Sequence, residues 1–239
     1  MLNIMVPSLL IPYSHAHLAV RQEPQIQIND AIQSLPTWTP PSQTVRQFWM
    51  KEALSALTAL TSSPCPHEPF GTVIVNHTSP NPSDIGDVIC IGANNIGSGN
   101  PTLHGEIAAI NNCSAVLTDP DGHWKLTPSE LSKAWSQFTL YTTAEPCPMC
   151  ASAIRWAGFR ECVYGTSSAM LIKLGWPVID ISAKEVFERS RRLGLKTALL
   201  SVGANETDPY LSWQYRDGAS CPVGCHGSGR AGRCLPDKE

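Results

Sequence analysis

The junction FTLYTTAEPCPMCASAI (138–154) constrains this chain more than any other stretch. Alternating apolar and hydroxyl residues predict a strand over 138–142, the prolines of EPCP interrupt it, and Cys147 then opens a helix reaching about residue 157. Cysteines at a helix start face the positive end of the helix dipole, which favours the thiolate that binds metal or attacks disulfides. The pair Cys147 and Cys150 alone is compatible with a disulfide, a redox dithiol or a metal site. Its company elsewhere in the sequence has to choose.

Some forty residues earlier, PTLHGEIAAI places His104 and Glu106 at the start of a second apolar-faced helix, predicted from about 104 to 116. Each helical residue turns by ~100°, so positions two apart point nearly opposite ways and share a site only off the helix end. Two helices meeting N-terminus to N-terminus would offer His104, Cys147 and Cys150 as three metal ligands with a fourth position open. That is the pattern of catalytic zinc, which makes water a nucleophile near neutral pH. Glu106, nearby but not a ligand, would take the proton from that water and pass it to a leaving group. Each part alone has a plainer use: a packed histidine, or a glutamate that suits the dipole. H-x-E at one predicted helix start and P-C-x-x-C at the next seldom coincide by chance.

The rest of the chain predicts where these pieces sit. SQTVRQFWMKEALSALTAL, from Ser42, spaces Val45, Trp49, Ala53, Leu57 and Leu60 as one helix face. FGTVIV (70–75) and DVICIG (87–92) predict a hairpin-like pair of strands joined by the turn formers of NHTSPNPSDIG. A strand at 161–164, a helix near 183–193 and the apolar run KTALLSVG follow. Helices alternating with mostly parallel strands predict a layered α/β domain over 42–217. Residues 1–41 read as leader plus linker, and 218–239 as a Cys/Gly-rich tail.

Composition limits the partners. Seventeen basic against twenty acidic residues leave net −3, which gives no general attraction to phosphate backbones, so a nucleic-acid partner is not expected. The cluster Arg189, Arg191, Arg192 and Lys196 falls where a helix ends, and there it suits the dipole. No apolar stretch reaches the ~18 residues of a membrane span. MLNIMVPSLLIPYSHAHLAV has a short, proline-broken apolar segment and a small-x-small site at Ser14-His15-Ala16, the outline of a weak secretory leader. Sequons at Asn76, Asn112 and Asn205 fit secretion, with a cytoplasmic location as the alternative. Cys90 and Cys162 lie in apolar strand-like runs and read as free buried thiols. Cys221, Cys225 and Cys234, in GASCPVGCHGSGRAGRC, read as disulfide partners, ahead of a second metal site using His226.

With H-x-E and P-C-x-x-C in place, the chain resembles the cytidine deaminase-like superfamily of zinc deaminases over roughly 44–215. TLHGEI and LYTT look like fungal cytosine deaminase; EPCPMC followed by AIRWA looks more like bacterial guanine deaminase and the tRNA adenosine deaminases. The resemblance implies a three-layer α/β/α sandwich around a five-stranded mixed sheet, assembled as a homodimer. It implies Zn²⁺ on His104, Cys147 and Cys150, with Glu106 as proton shuttle and the Cys147 backbone N–H facing developing charge. It also implies a base-contacting asparagine at Asn94 in IGANNIG, although the interval to His104 is one residue short, so Asn95 competes. The reaction implied is hydrolytic removal of an exocyclic amine from a free base such as cytosine or guanine, or from a nucleoside. tRNA adenosine editing is the alternative substrate class. The aspartate that guanine deaminases and tRNA adenosine deaminases place after the last recognisable strand has no counterpart in YGTSSAMLIKLGW, and that departure weakens transfer of guanine or adenosine specificity. Trp156, Trp176, Trp213 and Tyr215 are candidates to stack on a base, with core packing the commoner use. Two rival classes share the cysteines: a thioredoxin-like oxidoreductase, and a zinc-stabilised binding module without catalysis.

Overall fold

Side-chain alternation on the central strand decides the layers. A computed structural model describes residues 38–78, 85–227 and 233–237; the leader expected at the N-terminus lies outside them. Strand β3 (Phe138–Ala144) is buried along its whole length. Its Phe138 and Leu140 point to one face, with Ile74 and Cys162, and Tyr141 points to the other, with Val73, Val75 and Val163. Residues on a strand alternate in this way, so a strand buried on both faces needs helices on both.

Those helices are the ones the apolar spacing predicts. Helix α1 (Gln43–Thr61) begins at Ser42, whose side chain accepts from the Val45 amide, and buries Trp49, Met50, Ala53, Ala56 and Leu57. It covers the Tyr141 face. Val45 is partly buried there, but Leu60 is 46 % exposed, because the stripe turns off the sheet in the last helical turn. Helix α2 (Gly105–Thr118) covers the Leu140 face through Ala109, Cys113 and Leu117. A short helix α3 (Pro128–Ala134) follows, started by a capping box between Thr127 and Glu130. Helix α4 (Pro148–Ala157) adds Ala151 and Ile154 to the same layer as α2.

The sheet runs β2-β1-β3-β4-β5, with β1 (Gly71–Asn76), β2 (Asp87–Ala93), β4 (Glu161–Thr166) and β5 (Ala198–Ser201). β1 is antiparallel to both β2 and β3, whereas β3, β4 and β5 are parallel. The sheet is therefore mixed, as the family resemblance implies, with four strands running the same way, as the alternation of elements suggests, and β1 alone opposed. Helices α5 (Ser168–Leu174), α6 (Ala183–Arg189) and α7 (Ala204–Leu211) complete the described helices outside short 3₁₀ turns. The helix expected over 183–193 stops at Arg189 and is followed by a 3₁₀ turn over Arg191–Leu193. No helix among the described residues is long and apolar enough to cross a membrane.

The tail forms a small ribbon of β6 (Cys225–Gly227) and β7 (Cys234–Pro236). Cys221 is bonded to Cys234, and Cys225 to Cys65 ahead of β1. The disulfides read from the sequence are therefore present, and His226 faces Asp237 at 3.2 Å, outside the metal-competent group found among the described residues. Cys90 departs from expectation. It is bonded to Cys113 across β2 and α2, because Gly92, two residues on, lets the helix backbone approach the strand too closely for any Cβ. Cys162 is free and fully buried, as expected.

Candidate active site

Two helix N-termini meet beside the C-terminal end of β3. His104 is the N-cap of α2 and Cys147 the N-cap of α4, both in extended backbone conformation, so each side chain leaves its helix at the first turn. Pro148 follows at the first position of α4, where its missing N–H costs nothing. Gly105 between His104 and Glu106 has a packing reason: a Cβ there would run into the Phe70 carbonyl oxygen, so only glycine lets α2 start this close to β1.

His104 Nδ1 lies 3.6 Å from Cys147 Sγ and 3.6 Å from Cys150 Sγ. The three donor atoms are all within 4.8 Å of one another, the one such metal-competent group among the described residues. Hydrogen bonds from Cys150 and then His104 hold the Cys147 thiol down to about 4, against the opposing effect of burial. Cys150 is pushed up, since it keeps the proton it donates to Cys147 and is itself buried. The hydrogen bond to Cys147 likewise raises His104. One imidazole nitrogen and two sulfurs held together by shared protons form a donor set that fits zinc, which replaces such protons on binding.

Glu106 is 5 % exposed and accepts from the Thr142 hydroxyl at 3.3 Å. Burial raises its carboxyl pKa above the usual range, and the Cys150 thiol is its hydrogen-bonding neighbour. A carboxyl in this setting exchanges a proton more readily near neutrality than an exposed one. Glu145, the first residue of EPCPMC, points elsewhere: its two carboxylate oxygens accept from Ser168 N and Ala183 N, each at 2.8 Å, and tie down the starts of α5 and α6.

Asn94 directly follows β2, and its side-chain amide nitrogen donates to the Glu68 carboxylate at 2.5 Å. Its backbone N–H donates to Phe70 O, whereas Asn95 is exposed and donates its N–H to Leu103 O. The structure brings together His104, Cys147 and Cys150, as the sequence predicts, with Glu106 against Cys150, and sets Asn94 against Glu68. Glu68 and Thr142 belong to no spacing pattern, and the sequence did not single them out. The aromatic candidates are used mainly in packing: Trp176 and Trp213 are buried, Tyr215 lies edge-on to Trp176, and Trp156 is 72 % exposed on α4.

Comparison with known proteins agrees with this geometry. Residues 43–166 match the family model for the cytidine and deoxycytidylate deaminase zinc-binding region, a span that holds Asn94, His104, Glu106, Cys147 and Cys150. A probable cytosine deaminase of Schizosaccharomyces pombe is 35 % identical over 106 residues, 44 % of this chain and 52 % of that one. A guanine deaminase of Bacillus subtilis is 34 % identical over 109 residues, 45 % of this chain and 56 % of that one. The chain thus spans about half the length of these curated relatives. A crystal structure of an NE0047 mutant in complex with 8-azaguanine superposes with TM-score 0.50 at 20 % identity, covering 75 % of this chain and 96 % of that one, a likeness of fold alone. The match over 43–166, with His104, Glu106, Cys147 and Cys150 converging inside it, makes this chain a member of the cytidine and deoxycytidylate deaminase zinc-binding family.

Proposed function

We propose that the protein is a hydrolytic deaminase that replaces the exocyclic amine of a free nucleobase or nucleoside by oxygen and releases ammonia. The observation that carries this reading is the convergence of His104, Cys147 and Cys150 with a buried, non-ligating Glu106 at two helix N-termini. His104, Cys147 and Cys150 would hold zinc. When bound, zinc supplies the Lewis acidity that brings the pKa of water into the neutral range. Glu106 accepts one proton of the attacking water and passes it to the ring nitrogen beside the amine-bearing carbon, then takes the remaining proton of the added hydroxyl and delivers it to the amine. Oxygen adds to that carbon, the carbon–nitrogen bond breaks and ammonia leaves. The Thr142 hydroxyl holds the Glu106 carboxyl in place through these transfers. Asn94 contacts the base, and the Cys147 backbone N–H faces the charge that develops.

Cytosine and guanine are the first substrates to test, since the relatives named above are a probable cytosine deaminase and a guanine deaminase. The net charge of −3 supports a small substrate over tRNA. The test is an ammonia-release screen over free bases, nucleosides, nucleotides and tRNA at known zinc content. Release from a free base or nucleoside supports the proposal, release from tRNA alone transfers it to RNA editing, and zinc without ammonia favours a binding module.

We also infer an oxidising compartment, supported by the pairing of six of the nine cysteines. Intact mass from a eukaryotic host, before and after reduction and deglycosylation, tests this. A mass equal to the bare sequence with every thiol free would sink it.

A further inference from the structure

Between α1 and β1 the chain passes through SSPCPHEPF (62–70), and this strap is fastened along its length. Cys65 is bonded to Cys225, and the His67 ring lies edge-on to Trp213 with centroids 5.9 Å apart. The Pro69 carbonyl accepts from the buried Thr143 hydroxyl at 2.7 Å, and Phe70 O accepts from Asn94 N at 2.9 Å. Within the strap Glu68 is half buried, its Oε2 accepting from Asn94 Nδ2 at 2.5 Å.

A carboxylate only accepts, so this contact fixes the Asn94 amide with nitrogen toward Glu68 and Oδ1 turned away. Among the described residues, neither Glu68 Oε1 nor Asn94 Oδ1 accepts a hydrogen bond, and no Lys or Arg pairs with Glu68. Glu68 is also near enough to His104 to be one of the charges that raise it. A carboxylate with one oxygen committed and one open thus sits against Asn94 within electrostatic reach of His104, and no step described above uses it.

We propose, granting the deaminase activity inferred above, that Glu68 is a specificity-determining acid of this site. Its Oε1 accepts an N–H from the ring edge of a free base, while Oε2 fixes Asn94 so that Oδ1 stands beside it as a second acceptor. Paired acceptors select a ring edge that carries N–H donors, as cytosine and guanine do. A methyl or sugar on that nitrogen removes the donor and leaves a desolvated carboxylate unpaired. The acid absent from YGTSSAMLIKLGW is in this way supplied from ahead of the first strand.

Binding is the decisive measurement, made on full-length, zinc-loaded Glu106→Gln protein with and without Glu68→Gln. Calorimetry would compare cytosine, guanine and their ring-N-methylated forms. Glu68→Gln should weaken the preferred unmethylated base by at least ~10-fold and narrow its advantage over the methylated form, at unchanged zinc content. Equal weakening of both forms would mark Glu68 as a mere support for Asn94 and overturn the proposal, as would no weakening. If Glu68→Gln lowers Tm, Glu68→Asp keeps the charge while drawing it back, and should show the same narrowing. Failure of the deaminase reading is seen separately, as no ammonia from wild type on any base, whereas the binding ratio reports on Glu68 alone.

Discussion

Two pairs of close-spaced cysteines in this molecule have opposite fates. Cys147 and Cys150, three apart at the start of α4, are both free, whereas Cys221 and Cys225, four apart in the tail, are both oxidised, with Cys234 and Cys65. Spacing does not separate them; surroundings do. The first pair meets a histidine and a helix N-terminus, which stabilise thiolate and suit a metal. The second lies in a segment that buries little beyond Cys234 against Trp213, so covalent closure replaces a core. The tail's bridge also reaches the functional site indirectly, because Cys65 anchors the strap that carries Glu68.

The largest expected effect breaks this contrast from the metal side. Cys147→Ala should strip the zinc and abolish ammonia release, and it should weaken the fold because two helix ends lose their common anchor. Metal analysis and a melting curve on the same sample decide it. Unchanged zinc would move the site elsewhere. Glu106→Gln comes next. The nearly isosteric amide should retain zinc while turnover falls by ~10²–10⁴-fold or more, since one carboxyl serves several proton transfers. Equal ammonia release at matched zinc content would remove Glu106 from the chemistry.

From the tail side, Cys65→Ala should leave zinc in place and act on stability instead. The bridge closes a loop with sequence separation 160. Losing a native disulfide typically costs ~2–5 kcal/mol, readable as a urea midpoint that falls between those of oxidised and fully reduced wild type. A stability loss together with lost zinc would show that the two cysteine sets are not independent.

The sequence carried the zinc donors and Glu106 legibly because all of them sit at helix starts, where cap position fixes direction. Glu68 was not legible. It lies in a loop, three residues ahead of Gly71, where β1 and its pairing begin, and it reaches Asn94 only through the tertiary fold. The long helices were plain from their apolar stripes, but α3, α5 and α7 span seven or eight residues each, too few to establish a period. The Cys90–Cys113 bridge was missed for the same reason as Glu68: the strand's alternation says that Cys90 is buried, while only packing of α2 on β2 says against what.

Cys162 belongs to neither set and gives the smallest and sharpest test. It is free, fully buried in β4, and paired in register with Leu140 and Leu199 on its two neighbours. Burial pushes its thiol pKa well above the usual range, and the carboxylates of Glu106, Glu145 and Glu161 add to the shift. It should therefore behave as a small hydrophobic side chain and not as a nucleophile or ligand. Cys162→Ala should cost about 1 kcal/mol, for one lost sulfur in a packed layer, with zinc and all three disulfides intact. Cys162→Ser is closer in size yet should cost more, roughly 1–3 kcal/mol, because it places a hydroxyl among apolar neighbours without an evident partner. Urea denaturation of both variants, with iodoacetamide labelling of the native wild type, decides the matter. A serine variant as stable as the alanine variant, or rapid labelling of Cys162 in the folded protein, would mean that this cysteine too is polar in its surroundings, and the division by environment would fail at the position where it is simplest.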